Sequence, residues 1–392
     1  MNGVSIGKIS PARRAAFDVL KRVSEGAYAS DSLRERTRLL EGRDASLASQ
    51  IVFGCLRYQG QLDHLILRYS GQCADQMDPA VSIALRIAIF QFRYLERVPP
   101  HAVVNEAVEL VKQHKRAATS LVNAVLRKVN REPVTWPDLE TELSCPSWLL
   151  KRWADQFGFD QARQIAEAAL KQPSLYIRVA AGSPAPESAQ LAVTDVKGCF
   201  RLLSPLTPGI RLHDISSQSI IPLMDLQPGH SYLDLCAAPG NKTLQALETP
   251  LALAIACDIS WKRIREVSAG CSRVVLDATC PLPFNRKFDR IFIDAPCSGT
   301  GTLARNPEIK WRVKPQDLTR FGEKQRLILS EAAQLLASGG KLLYATCSLE
   351  REENEDAVCG FLARHQTLHL AREWRRLPGR DEGDGFYAAV LS

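Results

Sequence analysis

Two cysteines occupy similar positions in the sequence, each directly after an apolar and β-branched run. Cys297 follows "FDRIFIDAP", and Cys347 follows "KLLYAT". Runs of this kind are typical of buried strands, so both thiols are predicted to lie where a strand ends. A thiolate is a strong nucleophile that can form a covalent bond with an electron-poor carbon. The two positions therefore predict covalent chemistry at the end of a sheet.

Acidic residues end the neighbouring predicted strands. "LALAIACD" ends at Asp258, "SRVVLD" at Asp277 and "FDRIFID" at Asp294. Carboxylates at such positions can accept hydrogen bonds from ribose hydroxyls, an amino group or an ammonium. The run "SYLDLC" continues into "AAPGNKT", where Gly240 permits close backbone approach and the next helix offers free N–H groups. Because neither a P-loop nor a G-x-G-x-x-G pattern is present, these features favour an adenosine-containing cofactor without a polyphosphate.

The elements that must position these residues alternate between strand and helix from about residue 213. Near-continuously apolar strands joined by helical crossovers predict a mostly parallel sheet with helices on both faces. In such sheets ligands bind outside the carboxyl ends of the strands. We therefore expect the two cysteines and the three acids to meet at one edge of the sheet.

The first 130 residues are predicted to be helical almost throughout. "PARRAAFDVLKRVSEG" has Ser10 as a plausible cap and Pro11 at the first helical position, followed by apolar residues at helical spacing. Further segments repeat this period, which predicts a helical bundle. "REPVTWPDLETELSCP" interrupts the pattern and is interpreted as a linker.

Composition narrows the class of protein. The chain has 392 residues, of which 45% are hydrophobic and 24% charged, as expected of a globular protein with two or three domains. No signal-peptide pattern or uninterrupted apolar span suited to a membrane is present, so we expect a cytoplasmic protein without a membrane partner.

The 11 cysteines lack C-x-x-C spacing. They are predicted to be free thiols, mostly buried, with no metal site. The net charge of +7 permits an anionic partner such as RNA.

Segments of the C-terminal half resemble the motifs of RNA 5-methylcytosine methyltransferases that use S-adenosylmethionine: "LDLCAAPGNKT", "CDIS", "VLDAT", "DAPCSGTG", "YATCSLEREENE" and "DGFYAA". "HAVVNEAVEL" and "LVNAVLRKV" resemble the NusB domain. The combination, which extends over nearly the whole chain, resembles the ribosomal RNA small subunit methyltransferase B family. It implies a NusB-like, all-α RNA-binding domain at residues 1–140 and a linker with a shortened RNA-recognition-like connector at 141–212. An α/β, Rossmann-like methyltransferase domain is implied at 213–392.

The resemblance also assigns roles to residues. Cys347 takes the position of the nucleophile that bonds to carbon 6 of cytosine, and Cys297 that of a second, product-releasing cysteine. Asp294 is implied both near the cofactor and in a hydrogen bond to the base. The remaining implied cofactor residues are Cys236, Ala237, Ala238, Pro239, Gly240, Asn241, Lys242, Asp258 and Asp277.

The implied activity is methyl transfer from S-adenosylmethionine to carbon 5 of a cytidine in 16S ribosomal RNA, by a protein expected to be a monomer. Two alternatives stay open at this point. The same chemistry could act on transfer RNA or 23S RNA, or the chain could be a non-catalytic RNA-binding assembly factor.

Several segments depart from the family pattern or carry a second interpretation. Asn241 stands where the family usually has glycine, and the connector between residues 177 and 218 is short.

For Lys242 the alternative to a cofactor-binding role is a solvated lysine in the first helical turn. "RNPEIKWRVKP" combines basic residues with Trp311, a pattern suited to phosphate contacts and base stacking. "LEREENEDAV" is interpreted as the acidic start of a helix.

Overall fold

The computed structural model describes residues 9–96, 98–180, 182–186, 189–204 and 209–392. The chain divides into two compact units. The helical unit comprises Met1–Lys171 together with Ala304–Arg312, and the α/β unit comprises Gln172–Leu303 together with Val313–Ser392. The short segment Ala304–Arg312 therefore belongs to the helical unit, although it follows the "DAPCSGTG" motif in the chain.

The helical unit confirms the predicted bundle. Pro11 begins the first helix, and Ala12, Phe17 and Val19 are buried on one of its faces. The α-helices are α1 (Pro11–Ser24), α2 (Ala29–Thr37), α3 (Gly42–Arg57), α4 (Gln59–Ser70), α5 (Pro79–Tyr94), α6 (Pro100–His114), α7 (Thr119–Leu126), α8 (Leu139–Glu142), α9 (Ser147–Phe157) and α10 (Phe159–Leu170). Single 3₁₀ turns occur at Ala74–Gln76 and Arg116–Ala118.

Helix α8 crosses residue 140, where the predicted helical domain ended, and α9 and α10 lie beyond it, yet all three belong to the helical unit. The Tyr58 hydroxyl donates to the Leu170 carbonyl at 3.2 Å, and the Gly60 N–H donates to the Ser144 hydroxyl at 2.7 Å. Local sequence could not reveal this extension, because it depends on contacts between segments about 80 to 110 residues apart in the chain.

The connector to the larger sheet contains a small antiparallel sheet of order β1-β3-β2. Its strands are β1 (Leu175–Arg178), β2 (Leu191–Val193) and β3 (Cys199–Leu202). It belongs to the α/β unit, which begins at Gln172. The side chain of Arg178 joins it to the following elements through a pair of hydrogen bonds to the carboxylate of Glu248.

The main sheet has seven strands in the order β6-β5-β4-β7-β8-β10-β9. The last strand in the chain is antiparallel to both of its neighbours, and the other paired strands run parallel. This confirms the mostly parallel sheet. The strands are β4 (Ser231–Asp234), β5 (Leu253–Asp258), β6 (Ser272–Val275), β7 (Phe288–Asp294), β8 (Leu336–Thr346), β9 (Leu370–Arg376) and β10 (Phe386–Leu391).

Both faces of this sheet are covered. Ile291 and Ile293 pack in the same cluster as Ile328 of a long helix, whereas Phe292 packs on the other face against Ile221. The helices of this unit are α11 (Ile215–Gln218), α12 (Asn241–Ala246), α13 (Trp261–Ile264), α15 (Pro315–Ala333) and α16 (Glu355–Leu362). Helix α14 (Ile309–Arg312) lies in the segment assigned to the helical unit. Single 3₁₀ turns occur at Ile221–Met224, Thr300–Thr302 and Arg351–Glu353.

The strand order places a topological switch at β4, which has β5 on one side and β7 on the other. Ligand sites in such sheets form in the crevice at the carboxyl ends of these strands. The described residues include no helix that is long and apolar enough to cross a membrane.

Candidate active site

The two cysteine thiols meet at the carboxyl ends of β7 and β8. These strands are parallel neighbours, with Asp294 opposite Ala345, and the chain leaves each of them towards the same edge. The sulfur of Cys297 lies 3.4 Å from the sulfur of Cys347. This contact and burial together raise the pKa of Cys297 well above its usual range. At neutral pH Cys297 therefore retains its proton and can donate it to the neighbouring sulfur.

Lys242, in the first turn of α12, projects into the same place. Its Nζ lies 2.7 Å from Oδ2 of Asp294 and 5.0 Å from the centre of the Phe386 ring, and its side chain is only 11% exposed. Burial lowers the pKa of Lys242, but the ion pair with Asp294 outweighs it and the net shift is upward. The ammonium also interacts electrostatically with Cys347. The interpretation of Lys242 as a solvated helix-start lysine is wrong.

The loop before α12 is shaped by a glycine that no other residue could replace without rearrangement. Gly240 has a φ of +96°, and a Cβ atom there would lie 2.9 Å from the Cα of Val267. The next residue, Asn241, donates from Nδ2 to the Leu212 carbonyl at 3.0 Å. The asparagine that stands in place of a second glycine thus ties the loop to the preceding connector.

A cavity of about 270 Å³ opens at this edge of the sheet. Five of the predicted cofactor residues line it together with both thiols: Cys236, Ala238, Asp258, Asp277 and Asp294. Apolar side chains, including Ile259, Leu276 and Ile328, also line it, as do the basic residues Arg263 and Lys324. The remaining predicted residues of the loop do not line this cavity: Ala237, Pro239, Gly240, Asn241 and Lys242.

A larger cavity of about 890 Å³ lies elsewhere in the α/β unit, between the connector and α12. Arg178, Arg211 and Asn241 line it, but neither of the two thiols nor any of the three acids does. The two thiols and the three strand-end acids lie around the smaller cavity instead.

The acids at the ends of β5 and β6 differ in how their oxygens are used. Asp258 is 5% exposed and accepts from the N–H of Ser260 at 2.8 Å and of Ala238 at 3.3 Å. Asp277 accepts through Oδ1 from both the N–H and the hydroxyl of Thr279, and these bonds lower its pKa. Its other oxygen has no partner within the described residues. Asp277 is therefore ionised and can accept a bond from a ligand.

The sequence analysis missed Asp234, although it ends β4 as the other acids end theirs. It is fully buried and accepts from the Thr243 hydroxyl at 2.7 Å and the Tyr232 hydroxyl at 3.3 Å. Burial raises its pKa to about 7, and the bond from Thr243 opposes that shift. The same strand-end pattern that selected Asp258 would have found it.

The C-terminal "DGFY" motif packs against the thiol loops. The Gly301 N–H donates to the Cys347 carbonyl at 2.9 Å, and the Gly385 N–H donates to the Gly301 carbonyl at 2.7 Å. A Cβ on Gly301 would lie 2.2 Å from the Gly385 oxygen. Only glycine therefore allows these two backbones to approach as they do.

Of two motif interpretations, one is confirmed and one is corrected. "LEREENEDAV" does contain the acidic start of a helix, because Glu355 and Asp356 lie in the first turn of α16, whereas Glu353, which precedes that helix, is fully buried. In "RNPEIKWRVKP", Lys310 is fully buried and donates to the Arg57 carbonyl at 2.8 Å, and Trp311 donates to the Leu56 carbonyl at 3.0 Å. These side chains hold the segment within the helical unit, so Lys310 is not available to a phosphate.

The expectation that most cysteines are buried was also wrong. All 11 lie within the described residues as free thiols, but four of them are buried: Cys55, Cys145, Cys199 and Cys257. Strand ends and loops, where several of the others lie, leave a side chain partly accessible.

Comparisons with known proteins identify the family of the chain. A family model described as "16S rRNA methyltransferase RsmB/F" matches residues 221–392, and the NusB family model matches residues 10–131. A ribosomal RNA small subunit methyltransferase B from Escherichia coli O17:K52:H18 is 33% identical over 96% of this chain and 97% of its own. The protein of the same name from Yersinia pseudotuberculosis serotype O:1b is 31% identical with the same coverage.

Solved structures share the fold. The protein PH0851 has a TM-score of 0.83 at 22% identity, covering 98% of this chain and 99% of its own. NSun6 from Pyrococcus horikoshii, solved with SFG, has a TM-score of 0.55 at 17% identity, covering 63% of this chain and 97% of its own.

Proposed function

Since the chain belongs to the ribosomal RNA small subunit methyltransferase B family, we propose that it methylates carbon 5 of a cytidine in 16S ribosomal RNA through a covalent bond to Cys347. One observation carries this proposal: the thiols of Cys297 and Cys347 lie 3.4 Å apart at the carboxyl ends of adjacent strands. A cysteine with only a structural role would need neither a second thiol in contact with it nor an adjacent cavity lined by acids.

An adenosine-containing methyl donor fits the residues around the cavity. Gly240 leaves no room for a side chain near Val267, Asp277 offers an ionised oxygen to a ribose hydroxyl, and Ile328 and Leu276 provide apolar wall for a purine. We propose that Asp258 also contacts the ligand. When bound, S-adenosylmethionine supplies an electrophilic methyl group on a sulfonium centre.

Cytosine carbon 5 is a poor nucleophile, and the proposed role of Cys347 is to change that. Addition of its thiolate to carbon 6 forms a sulfur–carbon bond and moves the electrons of the 5,6 double bond towards carbon 5, which becomes an enamine carbon. The attacking group must be a thiolate, which a nearby positive charge favours. The Lys242 ammonium, which interacts electrostatically with Cys347, supplies that charge.

Lys242 and Asp294 have complementary proposed roles towards the base. The side-chain oxygens of Asp294 can accept a bond from the exocyclic amine of cytosine. A carboxylate alone would oppose the negative charge that the ring gains on thiolate addition. The Lys242 ammonium, 2.7 Å from that carboxylate, compensates for it and can donate to the ring.

Release requires that the carbon 5 proton pass to water and that its bonding electrons re-form the 5,6 double bond. The bond from Cys347 to carbon 6 then breaks, and its electron pair returns to the Cys347 sulfur. The Cys297 thiol retains its proton, so it can donate a hydrogen bond to the departing thiolate across the 3.4 Å contact. This gives Cys297 a role in product release and Cys347 a role in attack.

The NusB-like helical domain is proposed to aid RNA engagement, and the substrate implies a cytoplasmic site of action.

The test is methyl transfer from tritiated S-adenosylmethionine to RNA and to small ribosomal subunits from a strain that lacks this gene. We expect label in 16S RNA, at one cytidine that bisulfite sequencing identifies. Label in transfer RNA or 23S RNA instead would reassign the substrate but retain the chemistry. RNA binding without any transfer would favour the non-catalytic assembly factor.

A further inference from the structure

A fully buried carboxylate lies directly behind the two thiols. Glu353, at the end of the 3₁₀ turn Arg351–Glu353, is 0% exposed. One of its oxygens accepts from the hydroxyls of both Ser298 and Ser348, and the other accepts from the Ser298 N–H at 2.7 Å. Ser298 directly follows Cys297, and Ser348 directly follows Cys347. A single side chain thus binds the residue after each thiol.

A second side chain, in addition to Glu353, fixes the loop that carries Cys297. Gln325 of α15 donates from Nε2 to the Pro296 carbonyl at 3.0 Å and to the Glu353 carboxylate at 3.2 Å. Cys297 therefore lies between two residues that are both fixed to this network. In the loop that carries Cys347, the Asn354 side chain donates to the Ser348 carbonyl at 3.0 Å, and its oxygen accepts from the Thr346 hydroxyl.

The network requires the ionised form of Glu353. Each of its contacts is an N–H or an O–H that can donate, so a protonated carboxyl would lose an acceptor position. Burial raises the pKa of Glu353, and the bonds from Ser298 and Ser348 oppose that shift. Within the described residues no lysine or arginine forms an ion pair with it. A buried anion without a cation is costly for stability, and such groups commonly have a role that an apolar side chain could not fill.

We propose that Glu353 is the positioning residue that holds the Cys297 and Cys347 thiols in contact. It binds both loops through the same carboxylate, so the two sulfurs keep their separation while a base enters or leaves. Glu353 does not touch the base or the cofactor cavity, and it acts only through the loops. The effect of Glu353 on catalysis rests on the proposed function. Its effect on the distance between the two sulfurs is independent of that function.

The chain offers a matched control at the opposite end of the same strand. Asp289, near the start of β7, accepts through one oxygen from the Ser231 N–H at 2.8 Å and from the Ser231 hydroxyl at 2.6 Å. It makes the same kind of carboxylate–serine anchor as Glu353 but lies far from the strand ends that carry the thiols. Asp289→Ala reports what loss of such an anchor does to stability alone.

The direct test measures thiol contact without any catalysis. Diamide oxidises two thiols to a disulfide: each sulfur loses its hydrogen, the sulfur–sulfur bond forms, and the diazene is reduced to a hydrazine. The rate at which peptides containing Cys297 and Cys347 become linked is followed by mass spectrometry in the full-length protein. We expect Glu353→Ala to slow this rate about tenfold and Asp289→Ala to change it less than about twofold. A wild-type rate in Glu353→Ala, or equal slowing in both variants, overturns the proposal.

A milder pair of variants keeps the test decisive if Glu353→Ala does not fold. Ser298→Ala and Ser348→Ala each remove one hydroxyl bond to Glu353 and retain the carboxylate. Each should slow disulfide formation about threefold, and in the Glu353→Gln background, where the amide oxygen is a weaker acceptor, each should slow it less than in the wild-type background. Full additivity of the serine and Glu353→Gln effects would show that the serines act independently of Glu353 and would overturn the proposal.

The catalytic readout separates this proposal from the proposed function. Glu353→Gln should lower kcat for RNA methylation with KM for cofactor and RNA nearly unchanged, since the network touches neither ligand. A rise in KM at unchanged kcat would contradict a positioning role. If wild-type protein transfers no methyl group to any RNA, the proposed function fails, while the disulfide rates still test Glu353.

Discussion

The ammonium of Lys242 and the carboxylate of Asp294 form an ion pair of 2.7 Å that joins the start of α12 to the end of β7. The pair is largely buried, and the Phe386 ring lies against the ammonium. It brings a positive charge to the edge of the sheet where the Cys347 thiol lies. Removing either partner would leave an uncompensated charge in a poorly solvated site.

Lys242→Met should lower methyl transfer about 10²–10³-fold, because the proposed mechanism uses this cation to stabilise the attacking thiolate and the charge on the base. The rate is measured under single-turnover conditions with tritiated cofactor. Lys262→Met is the control, since Lys262 is exposed on α13. An undiminished rate in Lys242→Met would remove the ammonium from the mechanism.

Substituting the two cysteines should have opposite effects on the covalent intermediate. Cys347→Ala should abolish methyl transfer with cofactor binding nearly intact, and no protein–RNA adduct should form. Cys297→Ala should still attack and methylate but release product slowly, so an adduct should accumulate on a denaturing gel. Accumulation in Cys347→Ala and none in Cys297→Ala would reverse the two assignments.

Asp258→Ala should weaken cofactor binding by roughly 1.5–3 kcal/mol through loss of charged hydrogen bonds. It should also lower the unfolding temperature, because the carboxylate accepts from the Ala238 and Ser260 N–H groups. Asp277→Ala should weaken binding with a smaller loss of stability, since its partner Thr279 lies in the same turn. Calorimetric titration with S-adenosylmethionine and thermal unfolding measure the two effects; unchanged affinity in either variant would exclude that residue from the site.

Asp234 makes stability depend on pH in a direction opposite to that of an ion-paired acid. Its pKa in the folded protein, about 7, is above the ordinary value of 3.8, so the folded state binds the proton more tightly than the unfolded state. This contribution to stability falls as pH rises from about 4 to about 7. Asp234→Asn stays neutral, so its unfolding temperature relative to wild type should be higher at pH 8 than at pH 5.

The control for that measurement is Asp289→Asn. Hydrogen bonds from Ser231 lower the pKa of Asp289, so this carboxylate is ionised at both pH 5 and pH 8. Its substitution should change the unfolding temperature equally at the two pH values. If Asp234→Asn also shows the same difference from wild type at pH 5 and pH 8, burial does not perturb Asp234 as described.

Trp311→Ala should destabilise the helical unit by up to about 3 kcal/mol, because Trp311 packs against Gly60 and donates to the Leu56 carbonyl. Trp261→Ala, at a tryptophan that is 67% exposed, should have little effect on stability. Thermal unfolding and RNA binding are measured for both variants. Weaker RNA binding by Trp311→Ala at an unchanged unfolding temperature would restore the base-stacking interpretation.

The sequence by itself determined the elements and which residues end them. Apolar runs that finish at Asp258, Asp294 and Cys347 identify buried parallel strands, and the rule that ligands bind at carboxyl ends selects one edge of the sheet. These are local signals, since side-chain period and strand length are properties of consecutive residues. They predicted the mostly parallel sheet, the helical bundle and the meeting of the two thiols.

Only the tertiary structure decided which side chains become partners. Lys242 and Asp294 are 52 residues apart in sequence, Glu353 and Ser298 are 55 apart, and Lys310 and Arg57 are 253 apart. Each of these charged residues is, in its local sequence, indistinguishable from a solvated surface charge. Whether a charge is buried depends on which distant donors or acceptors the packed elements bring to it, because desolvation must be offset by specific hydrogen bonds. Those hydrogen bonds can form only once the register and packing of distant segments are fixed.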